Sequence, residues 1–237
     1  MPYSNINKVF LSIALVSLFT SCGITPPTLS EDTTSEAEGT PCTGSTCSDT
    51  PDDTHPIIKN WTGDLSINLH TSSDFLTNLQ TISGNLQVGP DETITLPALK
   101  SINGSLIIQD NDALLSLSAP NLQSIGGDLL LSVNNRMTDL ELPALENIGM
   151  NLRIVQNKDI ETINLSALTQ TALSCSISHN ITLEALELDA LTSVGFSLDI
   201  TGNTSLPNCA AEAIADNLTS GSSNISGNDS TATCSDD

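Results

Sequence analysis

The chain has 237 residues, of which 28 are acidic and 6 are basic, so its formal net charge is −22. A surface this acidic repels nucleic acid and anionic lipid headgroups, so we expect no nucleic-acid partner. Aromatic residues make up only 3% of the chain. Because sugar-binding sites commonly stack their ligands on aromatic rings, this composition also argues against a lectin.

Residues 1–22 are predicted to be a targeting segment that forms no part of the fold. Lys8 precedes an apolar run, residues 9–19, which is too short to span a bilayer as a helix. The run continues into a sequence that resembles a bacterial lipobox, Leu18-Phe19-Thr20-Ser21-Cys22, although Phe19 stands where leucine is usual. We therefore expect Cys22 to carry lipid chains that anchor the protein without spanning the membrane. The alternative is an ordinary secretory signal in which this cysteine is incidental.

The residue after Cys22 is Gly23 rather than aspartate. By resemblance to lipoprotein sorting signals, this favours the outer membrane or surface of a bacterial cell over retention at an inner membrane. The following residues 23–56 are rich in Ser, Thr, Pro, Gly and acidic residues and predict a disordered linker. Within it, Cys42 and Cys47 are expected to form a local disulfide, because exported chains meet oxidising conditions. Metal binding by this pair is the alternative, but a second pair of ligands is missing.

A 23-residue repeat dominates residues 102–203. One column of the repeat is asparagine, and two others are almost entirely aliphatic. The asparagine column is Asn111, Asn134, Asn157, Asn180 and Asn203; the aliphatic columns are Leu106, Leu129, Leu152, Cys175 and Leu198, and Ile108, Leu131, Ile154, Ile177 and Ile200. A fixed period of this length is typical of a solenoid, in which each repeat forms one coil and buries its apolar face on the next.

Within each repeat, apolar residues alternate in two short bursts, as in Leu152 and Ile154. This period of two predicts two short strands per coil, stacked on their equivalents as parallel sheets. We expect an all-β, parallel β-helix-like solenoid of about six to seven coils over residues 57–205. The asparagines are expected to stack at one corner, where their amides bond backbone groups and each other. A glycine column, Gly126, Gly149 and Gly195, predicts a second corner with positive φ.

Residues 206–237 are predicted to be a C-terminal cap. A short capping helix is expected over residues 207–218, and we pair Cys209 with Cys234 in a disulfide that holds the cap on the last coil. Cys175 is then left as a free, buried thiol. At the other end, Trp61 and Phe75 are expected to belong to an N-terminal cap.

One copy of the repeat reads Leu-Pro-Ala-Leu-Glu-Asn-Ile-Gly over residues 142–149, followed by Leu152-x-Ile154 and Asn157. Residues 120–127 and 96–102 repeat the phrase. It resembles the receptor L-domain superfamily, which includes the L domains of growth-factor receptors and fungal GPI-anchored cell-wall proteins; bacterial exported proteins with these repeats are similar overall. The resemblance covers roughly residues 60–235 and implies a right-handed solenoid with capped ends. Since the motif is structural, it implies no ligand-contact residues.

The features together predict a non-catalytic, lipid-anchored envelope protein with a binding or structural role, expected to be a monomer with an unidentified envelope or extracellular partner. No cofactor or metal site is predicted. One alternative is a calcium-dependent adhesion module. Another is a polysaccharide-acting enzyme that uses two outward carboxylate columns, Glu161 with Glu184 and Glu141 with Glu187. Two apolar columns are candidate partner sites, namely Ile107 with Leu130, and Met150 with Leu173 and Phe196.

Overall fold

The computed structural model describes residues 58–68 and 70–234. The chain winds into a parallel β-solenoid of about seven turns, and equivalent strands of neighbouring turns are mostly 23 residues apart. This confirms the fold class expected from the repeat. The predicted signal, the linker and the residues Cys22, Cys42 and Cys47 lie outside the described residues.

Each regular coil contributes three strands, one to each wall of the solenoid. Wall A consists of two-residue strands: β1 (Asn60–Trp61), β3 (Thr81–Ile82), β6 (Ser101–Ile102), β9 (Ser124–Ile125), β12 (Asn147–Ile148) and β15 (Gln170–Thr171). Wall B consists of β2 (Leu65–Ile67), β4 (Leu86–Val88), β7 (Leu106–Gln109), β10 (Leu129–Ser132), β13 (Leu152–Val155) and β16 (Cys175–Ser178). Wall C consists of β5 (Thr93–Thr95), β8 (Ser116–Ser118), β11 (Asp139–Glu141), β14 (Thr162–Asn164) and β17 (Ala185–Glu187).

The prediction of two strands per coil was therefore wrong, because it missed wall A. A wall A strand has one inward apolar side chain, such as Ile125, and so cannot display an alternating pattern. In the last regular coil, walls A and B merge into the single long strand β18 (Ser193–Thr201), which joins both into one sheet of 14 strands.

The core is a set of aliphatic columns that run the length of the solenoid. Each inward residue of the three walls stacks against the equivalent residues of the coils above and below it, as Leu129 does between Leu106 and Leu152. Most are under 3% exposed. Burial of one such side chain contributes about 1.5–3 kcal/mol, which offsets chain entropy only when several coils stack.

The glycine column does not adopt the positive φ expected of it. None of Gly126, Gly149 and Gly195 is among the residues with positive φ. Each instead lies against the carbonyl group of the coil below, as Gly149 does against Gly126 and Gly195 against Ala172. The absence of a side chain lets the backbones approach closely at this corner.

One residue of wall A breaks the aliphatic column and supports a prediction. Thr171 occupies the place of Ile148 and Val194, is 1% exposed, and its hydroxyl has no hydrogen-bond partner among the described residues. Because an unsatisfied buried hydroxyl is destabilising, Thr171→Val should raise the free energy of unfolding by about 1 kcal/mol in urea denaturation. The exposed Thr95→Val is the control and should stay within about 0.5 kcal/mol of the parent. A loss of stability in Thr171→Val would contradict this assignment.

The N-terminal end is closed by helix α1 (Ser73–Asn78). Phe75 of this helix packs edge-to-face on Trp61, with ring centroids 5.8 Å apart, and both rings pack against the end of the core. Neither α1 nor any other helix of the described part of the chain is long and apolar enough to cross a membrane.

The C-terminal end carries helix α2 (Asn208–Asp216), which buries Ala211 and Ile214 against the core. The Cys209–Cys234 disulfide is present, with a Cα–Cα distance of 6.1 Å. Between these features lies strand β19 (Ser220–Ser226), which pairs in parallel with β18. The solenoid was expected to end at residue 205, but this strand continues the sheet. It presents Ser, Gly and Asn at the edge of the sheet.

Candidate functional site

The asparagine column forms a continuous hydrogen-bonded ladder inside the solenoid. The backbone N–H and the side-chain Nδ2 of Asn134 both donate to Asn157 Oδ1 at 3.0 Å. Asn134 Nδ2 also donates to the carbonyl of Ile108 at 3.1 Å, at the end of the preceding wall B strand. Asn157 repeats these contacts toward Asn180 and Leu131, and Asn180 repeats them toward Asn203 and Ile154. All five asparagines are buried.

The ladder has a backbone cause, because the residue before each asparagine has positive φ. Val133, Gln156 and His179 have φ of 57°, 58° and 58°, and Gly202 has 68°. A left-handed residue turns the chain sharply and leaves backbone groups without partners in regular strand pairing. The asparagine amide satisfies them, so the column is a structural device of the fold.

The ladder extends one step beyond the five residues found in the sequence. Asn203 N–H donates to Asn228 Oδ1 at 3.2 Å, and Asn228 Nδ2 donates to the carbonyl of Ile200 at 2.9 Å. The sequence carried a signal for this residue, since residues 200–203 read Ile-Thr-Gly-Asn and residues 225–228 read Ile-Ser-Gly-Asn. A spacing of 25 rather than 23 concealed it.

A second polar ladder, absent from the sequence prediction, runs along the corner between walls A and B. Its side-chain oxygens accept backbone N–H groups of the next coil: Asp128 Oδ1 accepts from Asn151 N–H at 2.9 Å, and Asn151 Oδ1 accepts from Ser174 N–H at 3.2 Å. Its members are Asp64, Asn85, Ser105, Asp128, Asn151 and Ser174. Because several residue types serve as the acceptor, no single letter repeats in the sequence.

The first ladder ends at an unsatisfied atom. Asn111 Nδ2 donates to the carbonyl of Gly89 at 2.7 Å, but its buried Oδ1 has no partner among the described residues. The corner of the preceding coil reads Gly89-Pro90-Asp91 and contributes no asparagine to the column. The orphaned oxygen is therefore explained by the end of the column.

Three exposed or half-exposed apolar residues form a ridge on consecutive coils, which we call the apolar ridge: Met150, Leu173 and Phe196. The backbone N–H of Leu173 donates to the carbonyl of Met150, and that of Phe196 to the carbonyl of Leu173, so the three residues stack directly. Met150 is 47% exposed and Phe196 is 66% exposed. In the three coils below, this column consists of Gly84, Gly104 and Gly127. The apolar character is thus confined to the C-terminal half of the solenoid.

One outward column runs along the whole of wall B. Strand register aligns Ser66, Gln87, Ile107, Leu130, Arg153, Ser176 and Asp199. Ile107 and Leu130 are neighbours and half-exposed, and Val155 lies half-exposed in the next outward column. Wall B carries fewer acidic outward residues than wall C.

Wall C is acidic. Glu184 stacks on Glu161 in an adjacent coil, and both are exposed. Glu141 and Glu187 share another column but are separated by Asn164. The hydroxyl of Thr162 donates to Asp139 Oδ1 at 2.7 Å on the same wall. These carboxylates line an open sheet face with hydroxyl and amide neighbours.

No group of three or more His, Cys, Asp or Glu side chains that could hold a metal ion occurs in the part of the chain that the structure describes.

Cys175 lies on wall B in the aliphatic column and is fully buried. Burial, and secondarily the nearby negative charge of Asp199, raises the pKa of its thiol to about 12. Only the thiolate reacts with alkylating reagents, so Cys175 should stay unlabelled in the native protein and label fully in denaturant, as read by peptide mass spectrometry. A cysteine placed at exposed Ser166 is the control and should label in both states. Rapid native labelling of Cys175 would show that this coil opens.

Comparison with known proteins identifies no relative: no family model, no curated protein and no solved structure matches this chain.

Proposed function

We propose that the chain is a non-catalytic, lipid-anchored protein of the bacterial outer membrane or cell surface, in which the solenoid presents a protein-binding face. One observation carries the proposal: a lipobox-like sequence ending at Cys22 is followed by a polar linker and then by a repeat domain. A lipid anchor at one end and a rigid, elongated domain at the other suit a protein that displays a surface away from a membrane.

The chemistry of the walls supports a binding role. Parallel stacking makes each outward column a row of side chains about 4.8 Å apart, and such rows form an extended recognition surface in many solenoids. The exposed Phe196 and Met150 lie beside wall B, and clusters of exposed apolar residues often mark partner sites. The resemblance to receptor L domains and fungal cell-wall proteins fits the same reading, although it names no ligand.

The anchor is tested by metabolic labelling of cells that express the full chain with an alkyne-tagged fatty acid. The wild-type chain should incorporate the label and partition with membranes. Cys22→Ala should abolish incorporation, because the acyl chains attach to that cysteine. Cys47→Ala is the matched control and should label like the wild type.

The position of the solenoid is tested separately by adding protease to intact cells. Digestion of the chain without cell lysis would support display at the surface. A labelled chain that is protected from protease would place it on an inner-facing leaflet, and an unlabelled wild-type chain would overturn the anchored form of the proposal.

A further inference from the structure

We infer that a second copy of this chain docks on wall B and the apolar ridge, forming a weak two-fold dimer. The inference goes beyond the proposed function, because it concerns self-association and holds whether or not the chain is lipidated. It also departs from the monomer expected from the sequence.

The first observation is the distribution of charge. The ten outward residues from β10 to β19, the five strands centred on β16, include one acidic and one basic residue, Asp199 and Arg153. The ten outward residues of wall C include three acidic residues and no basic one. Two copies of a strongly acidic chain repel each other where acidic surfaces meet, so wall B repels a second copy less than wall C does. Depletion of charge is also what distinguishes the centre of a protein interface.

The second observation is that this face is self-complementary. Arg153 and Asp199 occupy the same outward column, one coil below and one coil above Ser176. They are roughly 10 Å apart, or two strand spacings, so they do not form a pair within one chain. A two-fold axis along strand β16, midway between two facing sheets, reverses the order of the coils. It therefore brings Arg153 of one copy opposite Asp199 of the second, and the reverse, in two equivalent ion pairs.

The same axis matches the apolar ridge to itself. Leu173 belongs to the coil of β16, with Met150 one coil below and Phe196 one coil above. The axis that pairs the charges thus places Leu173 against Leu173 of the second copy and Met150 against Phe196. Two independent features, one charged and one apolar, share a single symmetry element.

The area involved sets the strength. The interface covers about five strands and the bordering ridge. We expect it to bury less surface than the roughly 1,200 Å² of a stable standard interface. We therefore expect dimers at micromolar to millimolar concentration, favoured when salt screens the repulsion between the other acidic surfaces.

The test uses the full chain with Leu173→Cys, which places a thiol on the two-fold axis. Mild oxidation should yield a covalent dimer on a non-reducing gel, and the control Ser166→Cys, exposed on another corner, should not. In the Leu173→Cys background, Arg153→Asp or Asp199→Arg alone should lower the dimer yield about tenfold, because each change creates two like-charge contacts. The double charge swap should restore it.

Rescue by the double swap separates docking from misfolding, since a merely damaged fold would not recover. Sedimentation of the wild-type chain should show a monomer–dimer equilibrium that shifts with concentration. A wild-type chain that stays monomeric up to millimolar concentration, or single and double charge variants with equal yields, would overturn the inference.

Discussion

Replacing Asn157 with alanine is expected to lower the free energy of unfolding by about 3 kcal/mol. The Oδ1 of Asn157 accepts from both the N–H and the Nδ2 of Asn134, and its Nδ2 donates to the carbonyl of Leu131. Alanine would leave these buried groups unsatisfied, and each such group costs about 1–3 kcal/mol. Urea denaturation followed by circular dichroism measures the effect.

The control for this variant is Lys158→Ala, at the next residue, which is exposed. It should change stability by less than about 0.5 kcal/mol, since surface substitutions away from caps and networks have small effects. If Asn157→Ala were as mild as Lys158→Ala, the buried ladder would not be part of what holds the coils in register.

Removing the Cys209–Cys234 disulfide is expected to lower the free energy of unfolding by about 3 kcal/mol in the chain-entropy model. The two cysteines are 25 residues apart, and the loop they close contains most of α2 and all of β19. Cys234→Ser should also raise the amide hydrogen exchange of β19 before that of the central coils, because this strand is exposed and lies at the edge of the sheet.

A double-mutant cycle provides the control. Cys209→Ser, Cys234→Ser and the double variant remove the same bond, so all three should lose similar stability. Additive losses from the two single variants would mean that each cysteine contributes through its own packing, and unchanged exchange in β19 would mean that the disulfide does not hold the cap.

The repeat made the architecture predictable because one physical requirement is imposed on every coil. Each inward position must stack on its equivalent 23 residues away, so columns such as Leu129 and Leu152 remain aliphatic and in phase. Asparagine recurs for a similar reason, since its amide both donates and accepts along the column. These constraints are periodic, and a periodic constraint is visible in a single sequence.

Features that do not impose a repeated residue type were missed. Wall A strands contain two residues, too few for alternation, and the second ladder accepts Asp, Asn or Ser at the same place. Strand β19 has only one apolar residue, Ile225, so its membership in the sheet depends on backbone pairing that composition does not reveal.

The candidate binding surface was only partly predictable, for the opposite reason. Outward residues are free to vary from coil to coil, so their columns could be listed from the register but their meaning could not. The apolar ridge continues a column whose preceding members are Gly84, Gly104 and Gly127. Met150 is the first residue of that column with a side chain. The proposed two-fold axis relates the apolar ridge to Arg153 and Asp199. It depends on the register of wall B and on the backbone bonds of the adjoining corner, neither of which the sequence shows directly.

The most direct test of the account is a nuclear magnetic resonance measurement on the asparagine side-chain amides. The stacked solenoid predicts slowly exchanging Nδ2 protons for Asn134, Asn157 and Asn180, because all three are buried and hydrogen-bonded. It also predicts nuclear Overhauser contacts between asparagines 23 residues apart. Side-chain amides that exchange as fast as those of exposed asparagines, with no contact between residues one repeat apart, would contradict the stacked solenoid.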